Sequence, residues 1–168
     1  MRKWEDTLYM NENNLTHINS QGEVNMVNIG EKDVTLRTAR AYARLKMQPE
    51  TLSRLISSQL KKGDGLAAAR IAGIMGAKKT SELIPLCHTI PIEKIDISFT
   101  QESDTQLGIF SFAKCTYKTG IEMEALTAVS IAALTVYDMC KAIDRSMSVE
   151  EIRLLEKTGG KSDYNYEG

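Results

Sequence analysis

Histidine occurs twice and tryptophan once in this chain of 168 residues, proline and cysteine occur three times each, and 21 basic side chains face 22 acidic ones. Each scarcity removes a class of function. Near-neutral charge leaves no global basic field for nucleic acid or anionic lipid, so an anionic ligand must be caught by a local cluster. Cys87, Cys115 and Cys140 are odd in number and widely spaced, with no CxxC pair. That argues against a disulfide framework and for free thiols in a reducing compartment. Cys87 and His88 are adjacent, and adjacent side chains rarely ligate one ion. The only other histidine is His17, so no metal site is expected. The opening MRKWEDTLYMNENN has no apolar targeting core, and no later stretch reaches membrane-spanning length without polar interruption. The expectation is a cytoplasmic protein with neither nucleic-acid nor membrane partners.

What the chain has is a long apolar segment with charged ends. Residues 118–141 read KTGIEMEALTAVSIAALTVYDMCK, uncharged from Ala125 to Tyr137. A helix apolar all round is enclosed by protein, and its ends are then held firmly. On one straight helix Glu124 and Asp138 stand roughly 21 Å apart. They serve either different sites or pockets that take one end from each of two packed subunits. The second arrangement is favoured, because charge-poor helices suit the shared surface of symmetric oligomers.

Around that helix the patterning is mixed. Ala39, Ala41, Ala43, Leu45 and Met47 alternate with Arg40, Tyr42, Arg44 and Lys46, a half-buried strand. Pro49 opens a helix with Leu52, Leu55, Ile56 and Leu60 at helical spacing, stopping at Lys61-Lys62-Gly63. Asp64 can cap a second helix, LAAARIAGIMGAKK, rich in small residues that allow close packing. Pro85 and Pro91 bracket a stiff turn around Cys87 and His88. Two alternating runs about ESDTQ read as a hairpin, and Val149 to Lys157 as a last strand.

The order β, α, α, β, β, α, β predicts an α+β fold: ferredoxin-like βαββαβ with an extra helix in the first crossover, an antiparallel sheet with helices on one face. Residues 1–25 read as a polar arm, 26–158 as a single catalytic domain, and 159–168 as a flexible Gly/Lys-containing tail.

Ionisable residues at element ends are the candidates for chemistry. Lys61-Lys62-Gly63-Asp64 lies at a helix start, where outward N–H groups attract anions, although these residues alone read equally as a solvated basic turn. His88 in a restrained loop suits phosphate binding or acid–base work, as well as a structural hydrogen bond. Glu122 and Glu124 at a helix N-terminus are favourably placed for the dipole and could accept paired N–H donors of a guanine-like or pterin ring. Asp138 and Lys141, three apart on one helical face, contribute little as an exposed pair; in a cleft they tune each other's pKa, and a lysine lowered toward neutrality passes protons. The tail KTGGKS does not complete a P-loop, because Leu155 stands where its first glycine belongs.

Taken together, LTHIN (15–19), KKGD (61–64), IAGIMGAKKTSELIPLCH (71–88), KTGIEMEALTA (118–128), LTVYDMCKA (134–142) and KTGGKS (157–162) closely resemble the MoaC family, the cyclic pyranopterin monophosphate synthases of molybdenum cofactor biosynthesis. The resemblance runs from about Leu15 to Ser162. It implies a lyase that converts (8S)-3′,8-cyclo-7,8-dihydroguanosine 5′-triphosphate to cyclic pyranopterin monophosphate and diphosphate. It also implies hexamers, trimers of dimers, with active sites at subunit interfaces. No cofactor is required, although magnesium can accompany the triphosphate.

Carried over by position, the resemblance assigns catalysis to Asp138, Lys62 and Lys141. It assigns substrate contacts to Leu86, Cys87, His88, Met123 and Glu124, with Glu122, Lys78, Arg37 and Lys157 as further pocket positions. Two departures stand out: Asn28 replaces the family's usual Asp in an MVDV-like segment, and the tail reads Lys161-Ser162-Asp163-Tyr164 where a Gly commonly precedes the Asp. Asn28 cannot carry a carboxylate charge.

Overall fold

The computed structural model describes residues 22–168; most of the expected arm, His17 and the LTHIN block lie outside them. The elements run β1 (Thr35–Lys46), α1 (Pro49–Ile56), α2 (Gly65–Ala77), α3 (Thr80–Leu83), β2 (Lys94–Gln101), β3 (Gln106–Tyr117), α4 (Glu122–Cys140), β4 (Ser148–Thr158) and β5 (Tyr164–Asn165). They form an α+β structure with one open antiparallel sheet, ordered β2-β3-β1-β4-β5. The four-residue α3 and the two-residue β5 were not anticipated. Too short for periodicity to reveal them, both depend on contacts made elsewhere in the fold.

β1 occupies the centre because its alternation serves both faces. Ala39, Ala41, Ala43 and Leu45 are fully buried toward the helices. The three alanines let α4 approach closely, and the Ser111 hydroxyl, opposite Ala41, donates to the Ala125 carbonyl of α4 at 2.8 Å. The other face is not simply solvated. Tyr42 is buried there, its hydroxyl donating to the Glu102 carboxylate at 2.8 Å, with the Phe110 ring tilted against it at 5.0 Å and Arg44 and Arg153 near its ring.

α1 ends at Ile56, four residues before Leu60. Ser58 adopts φ 55°, and Gln59 N–H closes onto the Arg54 carbonyl at 2.9 Å, a left-handed stop that apolar spacing does not encode. Leu60 still reaches the core from the turn. Asp64 caps α2 as expected, its Oδ1 accepting from Ala67 N–H at 2.9 Å.

α2 and α4 lie side by side, α4 against β1, β3 and β4, and α2 against β2. Their contact needs a glycine: a Cβ at Gly73 would sit 2.3 Å from Ile97 Cδ1 and 2.7 Å from the Ala128 carbonyl. α4 is long and apolar enough by composition to cross a membrane, yet about half of it is buried in this fold. The enclosure is incomplete. Leu134 of α4, and Ile71 and Met75 of α2, remain exposed, so a helix expected to be covered all round keeps an open apolar side.

After Gly159, Tyr164 and Asn165 pair with Lys157 and Glu156 of β4.

Candidate active site

A cavity of about 720 Å³ opens where α4 begins. Five segments line it: 27–33 leading into β1, the start of β1 with Thr35 and Arg37, the Pro-restrained loop with Leu86, Cys87, His88 and Ile90, the 118–124 turn and first helical turn, and 157–162. His88 Nε2–H donates to the Val27 carbonyl at 2.9 Å, which fixes the tautomer because a carbonyl can only accept. Lys118 Nζ donates to the Gly30 carbonyl, and Asn28 Oδ1 accepts from Gly30 N–H at 2.8 Å. The leading segment is therefore tied down from both sides.

Arg37 is 8% exposed, and its Nε donates to the Tyr117 carbonyl at 3.4 Å. Lys157 lies 3.8 Å from Glu122. Among the described residues, Glu122 Oε2 and Glu124 Oε2 are buried without a hydrogen-bond partner. Buried polar atoms in folded proteins are nearly always satisfied, so two orphaned carboxylate oxygens beside a cavity are acceptors suited to a ligand's donors.

Glu124 is 3% exposed, and burial, reinforced by neighbouring Glu122, pushes its pKa up to about 7. The folded-state value lies above that of the unfolded chain. Its stabilising contribution is therefore complete below about pH 4 and is lost as the pH rises through 7, a difference on the order of 3 kcal/mol. Glu124→Gln is thus expected to raise the melting temperature of the unliganded protein at pH 8 and to change it little at pH 4. Thermal melts at the two pH values check this; equal shifts at both would show that ionisation is not the cause. Burial, then the charges of Glu124 and Glu122, also raises the Cys87 pKa, so this thiol stays protonated and is a poor nucleophile.

At the opposite end of α4 a second cluster forms. Asp138 Oδ1 lies 2.7 Å from Lys141 Nζ and its Oδ2 3.1 Å from Lys62 Nζ, which also donates to the Asp138 carbonyl at 2.9 Å. The turn before Asp64 carries Lys62 across to α4. Hydrogen bonds from Lys141 and then Lys62 hold the Asp138 carboxyl below its usual range, while the same bond raises Lys141. The lysine is thus held protonated; a lowered value is the expectation for a pair enclosed in a cleft, and this pair is open to solvent. All three side chains are about half exposed.

Eight of the nine predicted substrate-contacting residues line the cavity: Arg37, Leu86, Cys87, His88, Glu122, Met123, Glu124 and Lys157. Lys78, at the exposed end of α2, does not. Asp138, Lys62 and Lys141 meet one another but not the cavity. Three cavity cations escaped the sequence reading: Lys32, Lys118 and Lys161. A signal existed for two of them, since Lys-Thr-Gly occurs at 118–120 and again at 157–159, followed by Gly160-Lys161.

Comparison with known proteins bears directly on this site. A relative from Brevibacillus brevis named cyclic pyranopterin monophosphate synthase is 55% identical over 148 residues, covering 88% of this chain and 92% of its own. Relatives of the same name from Listeria monocytogenes and Chloroflexus aurantiacus are 54% and 52% identical, covering 91% and 89% of this chain and 96% and 93% of theirs. The MoaC family pattern spans residues 26–160, which include every cavity and cluster residue except Lys161 and Ser162. The chain belongs to the MoaC family.

Proposed function

We propose that this chain is a cyclic pyranopterin monophosphate synthase, a lyase of molybdenum cofactor biosynthesis. It converts the cyclised GTP intermediate to cyclic pyranopterin monophosphate and diphosphate by general acid–base catalysis. The observation that carries the reading is the cavity itself, which combines Arg37, His88, Lys118 and Lys157 with two orphaned glutamate oxygens. Cations suit a triphosphate, and carboxylates suit the paired N–H donors of a purine or pterin edge.

Asp138, Lys62 and Lys141 supply the proton transfers that opening one ring and building another require. A lysine beside the α-phosphate stabilises the charge that develops as diphosphate leaves. Lys78 contributes to binding from outside this cavity. No resident cofactor is required, and magnesium enters only as a companion of the triphosphate.

The cavity and the lysine–aspartate cluster are separated by most of α4, roughly 21 Å along the helix axis. A single pocket then needs the cavity of one subunit and the cluster of another. The exposed Ile71, Met75 and Leu134 support a contact between copies, and a hexamer built as a trimer of dimers is the assembly we assign. The order β2-β3-β1-β4 with the main helices packed together supports a ferredoxin-like topology with an extra helix in the first crossover. The cytoplasm is the compartment that suits three free thiols.

Incubating the purified protein with the cyclised GTP intermediate is expected to release diphosphate and form a pterin. Tight binding without turnover would instead identify a non-catalytic ligand-binding oligomer.

A further inference from the structure

Beyond Thr158 the chain doubles back along the cavity. Gly159, at φ +81°, lies so close to β1 that a Cβ would sit 1.8 Å from the Leu36 carbonyl. Its own carbonyl accepts from the Thr35 hydroxyl at 2.7 Å, and its N–H donates to Asp163 Oδ1 at 3.0 Å. Between these anchors Gly159 to Ser162 form one wall of the cavity, with Lys161 as its cation.

The far side of this wall is secured by residues outside the family match, which ends at 160. Tyr164 pairs with Lys157 and Asn165 with Glu156, Tyr166 N–H donates to the Leu155 carbonyl at 2.8 Å, and the Tyr166 ring lies 4.2 Å from the Arg153 guanidinium. Arg153 is itself fixed, ion-paired to Glu151 and 5.7 Å from the buried Tyr42 ring. A two-residue strand is too short to hold by backbone pairing alone. The stack on an anchored arginine is what makes its position definite.

We propose that Tyr164–Tyr166 form a clasp that positions the cavity wall Gly159–Ser162 against the substrate's polyphosphate, with Tyr166 on Arg153 as the positioning residue. The role assigned to the polyphosphate rests on the synthase reading; the mechanical role of the clasp does not. A clasped wall presents Lys161 to an anion already faced by Lys157. A released wall would leave that side chain to reorganise at each binding event.

Tyr166→Ala is expected to raise KM roughly two- to fivefold, in line with losing one exposed cation–π contact, with kcat and melting temperature unchanged. Truncation after Asp163 should raise KM further. Both variants should be cut faster by trypsin after Lys161, while Tyr166→Phe, which keeps the ring, should behave as the wild type. Unchanged KM and unchanged cleavage in both would overturn the proposal. So would a parallel fall in kcat and melting temperature, the mark of a merely structural role. If the wild type does not turn over the cyclised intermediate, the synthase reading fails, while the trypsin comparison still decides whether the clasp exists.

Discussion

Lys62→Ala and Asp138→Asn are each expected to lower turnover by about 10²- to 10⁴-fold, the usual range for a lost acid–base group. The melting temperature and the oligomer should be unaffected. The reason lies in how the cluster is built. One carboxylate receives both ammonium groups, at 2.7 and 3.1 Å, and among the described residues no other ion pair falls on it. Half-exposed ion pairs contribute little to stability, so their removal leaves the core intact. The charged state of Asp138 is nevertheless favoured by the two lysines, and Lys141 is held protonated in return. The resting cluster is therefore a carboxylate held between the two lysine side chains. Asn at 138 keeps the shape but can neither take up a proton nor hold the lysines by charge. Steady-state kinetics with size-exclusion chromatography provide the check, and dissociation of either variant would make the cluster a structural device instead.

Mixing two inactive variants should restore activity. Arg37→Ala damages the cavity and Lys62→Ala the cluster, and each alone should be nearly inert. If each pocket takes its cavity from one subunit and its cluster from the partner, a mixed pair contains one pocket with both parts intact and one with both damaged. Random re-association of equal amounts should then recover roughly a quarter of wild-type activity for a twofold interface. If one subunit supplied both parts, no mixture could rebuild a pocket, and activity would stay at the level of the separate variants. The test is demanding because it depends on the length of α4: Glu124 and Asp138 lie fourteen positions apart on one uninterrupted helix, Glu122–Cys140.

Much of this architecture was legible in local patterning. The alternation of alanines with arginines marked β1, Asp64 marked the start of α2, and the charge-free run from Ala125 to Tyr137 marked α4. In each case the information lies within a few residues, where period and capping chemistry act. The end of α1 was not legible, because Ser58 in the left-handed region is a backbone choice that the spacing of leucines does not report. Nor was the burial of Tyr42. Its polar-looking face became a packed layer only when Glu102, Phe110 and Arg153 arrived from three other segments.

The site divides in the same way. Residue type and position at element ends singled out Lys62, His88, Glu122, Glu124, Asp138 and Lys141, and the family resemblance added Arg37 and Lys157 as expected pocket positions. Lys78 shows the limit. It belongs to the same IAGIMGAKKTSELIPLCH block as His88, yet the end of α2 places it outside the cavity. The sequence by itself determined the α+β class, the main elements and the ionisable groups available for catalysis. Only the tertiary structure decided that Glu124 is buried enough to titrate near 7, that Lys32, Lys118 and Lys161 share its cavity, and that Tyr166 secures the wall. Those facts arise from through-space contacts between separate segments of the chain, and neither burial nor an electrostatic neighbour on another element is written in local order.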